Sequence, residues 1–315
     1  MILSMLCWGS WANTMKVCPG YRFQLFYWDY VIGLFVGALL LGTTMGSAGS
    51  QGLPFFRDIA HTDPHHARLA FAGGIIFNVA NLLLVAAIDI AGLAVAFPVG
   101  IGLALVVGAV SSYILAPAGN PALLFGGITI VVAAIVLDAA AYRAREKQKS
   151  ITTRGVVLSL ISGLLMGSFY PLVARAMSDS GAPGPYATAF YFALGVAICS
   201  LAANTLLMRK PLDGREPVAF NGYAKAPLTW HAWGILGGTI WIFGAIFNFT
   251  ASRANIVGPA VSYSIGQGAT MISAAWGVLV WREFAAAPRR AKVLLGWMFA
   301  LFLCGLAAVA LAPVL

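Results

Sequence analysis

Amide and phenol side chains interrupt long apolar stretches of this sequence at helical spacing. Tyr263 and Gln267 lie four residues apart in the run YSIGQG, so a helix would present both on one face. Polar groups at membrane depth need a partner or a function, because the hydrocarbon core holds no water. A phenol and a carboxamide can hydrogen-bond a sugar hydroxyl or a ureide carbonyl. We therefore expect this pair to contact a polar solute.

Other candidates have an alternative structural explanation. Asn78 and Asn81 lie three residues apart on one helix face, where hydrogen bonding between helices explains them as well as solute contact does. Trp8 and Trp11 could form an aromatic wall for a flat ring, or belong to an interfacial belt. Two further aromatic residues, Phe97 and Tyr170, complete the candidate solute-binding set.

Carboxylates within or beside the apolar runs are candidates for proton transfer. Asp29 lies among aromatic neighbours in FYWDY, where burial would favour the neutral acid, and we prefer it for that reason. Asp138 is the second candidate. Either acid could instead cap a helix, form an ion pair or face water. Asp89, in a tight connector, is expected to be solvated.

The composition places these groups in a membrane. The 315 residues are 60% hydrophobic and only 9% charged, whereas a soluble domain carries about 25% charged residues. The net charge of +9 comes from short connectors rather than from one polar face, so membrane orientation explains it better than nucleic-acid binding does. The four cysteines have no paired spacing, which argues against a disulfide framework.

Hydrophobic stretches predict an all-α integral membrane protein with ten transmembrane helices, since about 20 apolar residues cross the hydrocarbon core. Asp63-Pro64 and Asn120-Pro121 are expected to begin two of them. The first span is short, and the start of the sequence lacks a cleavable signal pattern. The predicted spans are 1–15, 24–45, 67–89, 91–114, 122–142, 154–177, 185–208, 230–251, 256–281 and 292–313.

Lysine and arginine counts predict the orientation. Fifteen of the 19 lie in the connectors after the first, fifth, seventh and ninth spans or at their edges, and four lie on the other side. The basic side should be cytoplasmic, which places both termini outside the cell (inner) membrane.

Three collinear matches indicate an internal repeat. Gly74–Asn78 resembles Gly244–Asn248, FPVGIG resembles YSIGQG, and Cys7–Trp11 resembles Leu165–Phe169. With five spans in each half, the second half must be inverted relative to the first, which is the architecture of many secondary transporters. The predicted halves are 1–142 and 154–315, joined by a basic cytoplasmic linker at 143–153.

The motifs WGSWANTMK, FYWDY, IFNVAN and FPVGIG and the closing WGVLVWREF resemble the drug/metabolite transporter superfamily, in its glucose/ribose porter and ureide permease-like branch. The resemblance covers nearly the whole chain. It implies a carrier of sugars, ureides or nucleobases, usually with protons. Plant ureide permeases place a nucleotide-binding-like glycine motif in a long central loop; here that loop is short and lacks such a motif.

Enzyme signatures such as HExxH, GxSxG and GxGxxG are missing from the sequence, so we expect no enzyme and no cofactor. One cluster with metal-ligand residue types, Asp58 to His66, has a simpler explanation as a polar surface loop, and no metal site is assigned.

The sequence thus predicts an alternating-access, proton-coupled importer of a small neutral polar solute. A drug/metabolite exporter is the alternative, and a membrane scaffold or receptor without transport belongs to another class. The expected partners are the solute, protons and the lipid bilayer, with no nucleic acid. Assembly into a homodimer, and the identity of the solute, are left open.

Overall fold

A computed structural model describes residues 1–48, 52–91, 93–145, 152–212, 214–254 and 257–315. Every regular element in these ranges is a helix. In chain order they are α1 Ile2–Ser10, α2 Asn13–Lys16, α3 Phe23–Thr43, α4 Phe55–His61, α5 Pro64–Ala91, α6 Leu93–Leu115, α7 Pro121–Arg145, α8 Thr153–Ala176, α9 Pro185–Arg209, α10 Asn221–Ala224, α11 Leu228–Arg253, α12 Gly258–Gly266, α13 Ala269–Ala275, a π-helix Trp276–Val280, and α14 Arg289–Leu311.

Seven helices in the described part of the chain are long and apolar enough to cross a membrane: α3, α5 as far as Ile88, α7, α8, α9, α11 and α14. The chain is therefore a multi-pass membrane protein. The predicted helix starts are confirmed: Asp63 Oδ1 accepts a hydrogen bond from His65 N at 2.7 Å, and Asn120 Oδ1 accepts one from Ala122 N at 3.0 Å. These caps satisfy amide groups that a helix start leaves unpaired.

Two predicted spans are not single helices. The first is divided into α1 and α2 at Trp11 and Ala12, where the Trp276 and Trp281 indoles donate to Ser10 Oγ at 2.8 Å and to Asn13 Oδ1 at 2.6 Å. The ninth changes from α12 to α13 at Gln267 and Gly268 and then widens into the π-helix. The predicted helix face shared by Tyr263 and Gln267 therefore ends at this break.

Helix packing depends on glycines at two crossings. Between α3 and α11, a Cβ atom at Gly33 would lie 1.9 Å from the Ile235 carbonyl oxygen, and one at Gly238 would lie 1.8 Å from the Tyr30 carbonyl oxygen. Only a residue without a Cβ allows backbones to approach this closely.

The crossing of α5 and α9 repeats this geometry. A Cβ atom at Gly74 would lie 2.0 Å from the Phe192 carbonyl oxygen, and one at Gly195 would lie 2.2 Å from the Phe71 carbonyl oxygen. The buried side chains form two cores. One lies among α3, α5, α8, α9 and α11, which include the four helices of these crossings, and the other lies among α6, α7, α12 and α14.

Candidate functional site

A buried polar cluster joins α8, α11 and α12. Tyr170 OH donates to Asn248 Oδ1, which also accepts from Ser262 Oγ at 3.2 Å, while Asn248 Nδ2 donates to the Ser262 carbonyl at 2.9 Å. Tyr263 packs against Tyr170 in a tilted arrangement with ring centroids 4.7 Å apart, and its hydroxyl donates to the Ala104 carbonyl at 3.2 Å. All four side chains are buried. The cluster combines donors and acceptors without an ionised group.

A cavity of about 270 Å³ lies beside this cluster. Its walls are residues 115–118, 174, 175, 177 and 178, 252–254, 258 and 259. The chain enters α12 there through Gly258, whose φ of 71° is in the left-handed region that favours glycine. We call this space the α8–α12 cavity.

A second polar cluster joins α3, α5 and α9. Asn78 Oδ1 accepts from Tyr27 OH at 2.8 Å and from Ser200 Oγ at 3.0 Å, and Asn81 Nδ2 donates to Tyr27 OH at 3.3 Å. Asn78 Nδ2 is buried and has no hydrogen-bond partner among the described residues. Asn78 and Asn81 thus join three helices.

The aromatic candidates Trp8, in α1, and Trp11, in the break after it, pack against the first of the two buried cores. Trp8 stacks on Trp241 at 5.7 Å and donates to its carbonyl at 3.2 Å, while Trp11 packs against Tyr30 at 4.8 Å. Trp241 in turn packs against Phe77 at 4.3 Å. This arrangement is an aromatic wall in the packed interior.

Two solute-binding candidates remain, Gln267 and Phe97. Gln267 is half-buried at the break after α12, and Phe97 lies in α6 with its side chain outside the described part of the structure. Asn78 contacts Tyr27 and Ser200, while Tyr263 contacts Tyr170, so these two candidates lie in different polar clusters. Sequence spacing within one helix could not specify these contacts between helices.

Asp29 is buried at the start of α3 with three donors around it. Tyr21 OH donates to Oδ2 at 2.9 Å, Tyr223 OH donates to Oδ1 at 2.6 Å, and His231 Nδ1 lies 2.9 Å from Oδ1. Burial, and then the neighbouring carboxylate, raise the pKa of Tyr21 and Tyr223, so both phenols stay protonated and donate. Besides the aromatic surroundings that the sequence predicts, the structure places hydrogen-bonding side chains against both carboxyl oxygens of Asp29.

Asp138 is buried in α7, and its Oδ1 has no hydrogen-bond partner among the described residues. Four residues further along, Tyr142 OH donates to Glu283 Oε2 at 3.2 Å. Glu283 also pairs with Lys16 of α2 and with Arg145 Nη1 at 2.8 Å. Burial alone would raise the pKa of Glu283, but the hydrogen bonds and charges of Lys16 and Arg145 outweigh it and lower the pKa.

The partners of Asp29 are not marked by any local sequence pattern. His231, Tyr21 and Tyr223 lie in the chain at distances of 8 to 202 residues from Asp29, and nothing in their local pattern indicates the contact. Asn248 was visible as the repeat partner of Asn78, which could have marked it as a candidate.

The segment Asp58 to His66, which has metal-ligand residue types, spans the end of α4 and the start of α5, and its side chains contact protein groups. Asp58 Oδ2 accepts from Gly184 N at 2.8 Å, and His61 Nδ1 lies 2.8 Å from the Arg57 carbonyl oxygen. Burial raises the pKa of Asp58, against the opposing effects of Gly184 N–H and Arg253. Among the described residues no group of three potential ligands is close enough to hold a metal ion.

Known proteins resemble this chain along its whole length. The sequence model of the ureide permease family matches residues 26–153 and 142–312. Ureide permease 1 and Ureide permease 2 of Arabidopsis thaliana are each 23% identical, over 98% of this chain and 94% of the relative. A solved crystal structure with 18% identity has a TM-score of 0.67 and covers 99% of this chain and 95% of its own, which shows a common fold.

The family match extends over the helices that hold the Asp29 contacts, both buried polar clusters and the α8–α12 cavity. Such polar groups enclosed by membrane-spanning helices suit the passage of a solute. The chain belongs to the ureide permease family and is a membrane transporter, not an enzyme.

Proposed function

We propose that this protein is a secondary active transporter that imports a small neutral polar solute with protons, by alternating access. The relatives are named ureide permeases, so a ureide is the first solute class, with sugars and nucleobases next. The buried polar cluster beside the α8–α12 cavity offers amide, phenol and hydroxyl groups, which suit an uncharged solute.

The main support for two inverted halves, which alternating access requires, is the pair of reciprocal glycine crossings. Exchanging the halves relates Tyr30 and Gly33 of α3 to Phe192 and Gly195 of α9, at one offset of 162 residues. It relates Phe71 and Gly74 of α5 to Ile235 and Gly238 of α11, at an offset of 164. The pair of contacts at one crossing thus becomes the pair at the other.

Other helix contacts obey the same exchange. The packing of α5 on α8 corresponds to that of α11 on α1, α6 on α8 corresponds to α13 on α1, and α7 on α14 corresponds to itself. These correspondences support ten spans in two inverted halves, 1–142 and 154–315, with the linker 143–153 between them. They pair Gly74 with Gly238 rather than with Gly244, a shift of six residues from the match seen in the sequence.

The two ends of α11 support alternating access. His231 and Ser252 are 21 residues apart on α11, about 30 Å of helix. At the His231 end, polar bridges join the two proposed halves: Asp29 with His231, and Lys16 with Glu283. At the Ser252 end lies the α8–α12 cavity. A carrier closed on one side and accessible from the other has this asymmetry.

The positive-inside rule assigns the bridged end to the cytoplasm and the cavity to the outside of the cell (inner) membrane, with both termini outside. Proton coupling is assigned to Asp29, with Asp138 as the second candidate, because a single carboxylic acid suffices to carry a proton. Solute contact is assigned to Trp8, Trp11, Asn78, Asn81, Phe97, Tyr170, Tyr263 and Gln267.

Export of a small metabolite is the second candidate within the transporter class, since the fold allows either direction. The test is uptake of a labelled cyclic ureide, uracil or glucose into liposomes that contain the purified protein, under an imposed pH gradient. We expect uphill accumulation of one of these solutes when the inside is alkaline. Accumulation that ignores the gradient excludes proton coupling, and failure to move any of the three excludes the proposed solute classes.

A further inference from the structure

We infer that the α8–α12 cavity leads to a binding site for a small uncharged solute, recognised by Ser252, Asn248, Tyr170 and Ser262. This inference rests on the proposed transport function and deepens it, because it names where the solute binds and which side chains recognise it. Three of the four residues, all except Tyr170, were not singled out by the sequence.

The cavity lies one helical turn from the polar cluster on three separate helices. On α8, the wall residue Ala174 is four residues from Tyr170. On α11, the wall residue Ser252 is four residues from Asn248. One turn of helix rises about 5.4 Å, so the cluster forms the layer directly beneath the cavity.

The third helix gives the same relation. On α12, the wall residues Gly258 and Pro259 are each four residues from Ser262 and Tyr263. Agreement on three helices means that the cluster is the floor of the cavity rather than a neighbour on one side. Ser252 connects the two layers, since it is part of the wall and lies beside the Tyr170 hydroxyl.

The chemistry of the floor indicates an uncharged solute. A carboxamide, a phenol and two serine hydroxyls offer donors and acceptors together, as the N–H and C=O groups of a ureide or a lactam require. Each of the two arginines in the wall lies near a carboxylate: Arg175 Nη2 is 3.5 Å from Asp179 Oδ2, and Arg253, which donates to the Pro183 carbonyl at 2.8 Å, interacts electrostatically with Asp58. A charged solute would lose hydration without meeting a free counter-charge in the floor.

Size restricts the solute further. At about 270 Å³, the cavity is slightly below the usual range for ligand pockets, about 300–1,000 Å³. A single small ring fits in this volume. The Tyr170 and Tyr263 rings beneath it are fully buried, whereas Ser252 is part of the cavity wall, so the solute meets the Ser252 hydroxyl before any ring face.

The test uses hydantoin, a neutral cyclic ureide, and hydantoate, its open-chain anion, with the full-length protein in lipid nanodiscs. We expect hydantoin to bind and hydantoate to bind at least about tenfold more weakly. Ser252→Ala should weaken hydantoin binding roughly tenfold, the loss of one hydrogen bond to a buried ligand. The matched control is Thr250→Ala on the exposed face of the same helix, which should stay within about twofold of the wild type.

A second measurement does not depend on affinity. Ser252→Cys, in a background without the four native cysteines, should react with a small thiol reagent, and saturating hydantoin should slow that reaction at least about fivefold through occupancy of the site. Hydantoin that is transported but gives no protection of Ser252→Cys overturns the inference and leaves the proposed function standing. Equal binding of hydantoate overturns the solute class. A wild type that neither binds nor moves hydantoin, uracil or glucose overturns the proposed function and the inference together.

Discussion

Asp29 Oδ1 on α3 and His231 Nδ1 on α11 lie 2.9 Å apart, and the carboxylate is almost fully buried. Residues on two different long helices therefore depend on each other at one end of the molecule. Tyr21 and Tyr223 complete the set of donors. Because the four groups come from α3, α10, α11 and the connector after α2, separating these elements would break several hydrogen bonds to one buried carboxyl group together. Such a cluster is suited to hold one state of the transporter closed.

Asp29→Asn tests proton coupling at this cluster. The amide mimics a permanently protonated acid, so we expect the variant to keep solute binding and exchange across the membrane. It should lose uphill uptake driven by pH. The measurement is liposome uptake with and without a gradient, beside solute counterflow in the same vesicles.

Asp138→Asn is the comparison, since Asp138 is the second candidate. Concentration of the solute by Asp29→Asn at the wild-type level would remove Asp29 from the coupling step. Loss of uphill uptake in Asp138→Asn alone would assign that step to Asp138.

Glu283→Gln tests the bridge between Lys16, Arg145 and the segment before α14. The pKa of Glu283 is lowered below its ordinary value of 4.5 in the folded protein. The ionised carboxylate therefore adds stability above pH 4.5, and this contribution is lost as the pH falls through the lower folded value. We expect the variant to melt about 2–4 °C below the wild type at pH 7, the effect of roughly 1 kcal/mol for a partly exposed group.

The difference between the two proteins should shrink as the pH falls below 4.5. Melting curves of both proteins from pH 7 to pH 3.5 provide the measurement. A difference that stays constant over this range would show that the charge on Glu283 is not its cause.

The helices could be predicted from sequence because their signals are local. Hydrophobic length, together with Asp63-Pro64 and Asn120-Pro121, was enough to place α5 and α7. The breaks at Trp11 and Gln267 were not predicted from the sequence, since no proline marks either position. They depend on contacts such as Trp276 with Ser10, 266 residues away in the chain.

The candidate site was predictable in residue type but not in grouping. Asn78, Tyr170 and Tyr263 were singled out because polar or aromatic groups inside a span are unusual. Which of them meet is decided by the rotation of each helix, and helices that are apolar on all sides give no periodic signal for that rotation. His231 was not singled out for a different reason: it lies near a helix end, where a polar residue is common.

Gly238→Ala tests the close crossing of α3 and α11. The new Cβ would lie 1.8 Å from the Tyr30 carbonyl oxygen, so the helices must separate. We expect a loss of several degrees in melting temperature and a strong loss of transport. Gly74→Ala, at the corresponding crossing of α5 and α9, should have a similar effect because its Cβ would lie 2.0 Å from a carbonyl oxygen.

Gly126→Ala is the matched control for this pair, since its Cβ would meet no atom within 4 Å. Alanine favours a helix over glycine by about 1 kcal/mol, so this variant should be as stable as the wild type or slightly more so. Equal losses in Gly126→Ala and Gly238→Ala would show that close approach is not what the glycines provide.

Cysteine labelling tests the orientation on which the direction of transport depends. His61 follows the proposed outer end of α3, and Glu216 lies in the connector between α9 and α10; both side chains are exposed. In a background without native cysteines, His61→Cys should react with a membrane-impermeant thiol reagent on intact cells, and Glu216→Cys should react only after permeabilisation. Both should react fully in detergent, which controls for local accessibility.

Because α9 begins near His61 and ends near Glu216, one membrane crossing separates the two sites. Labelling of both from outside is therefore incompatible with the proposed spans. The reverse labelling pattern would keep the spans, invert the protein, and place the α8–α12 cavity on the cytoplasmic side, where it would serve an exporter.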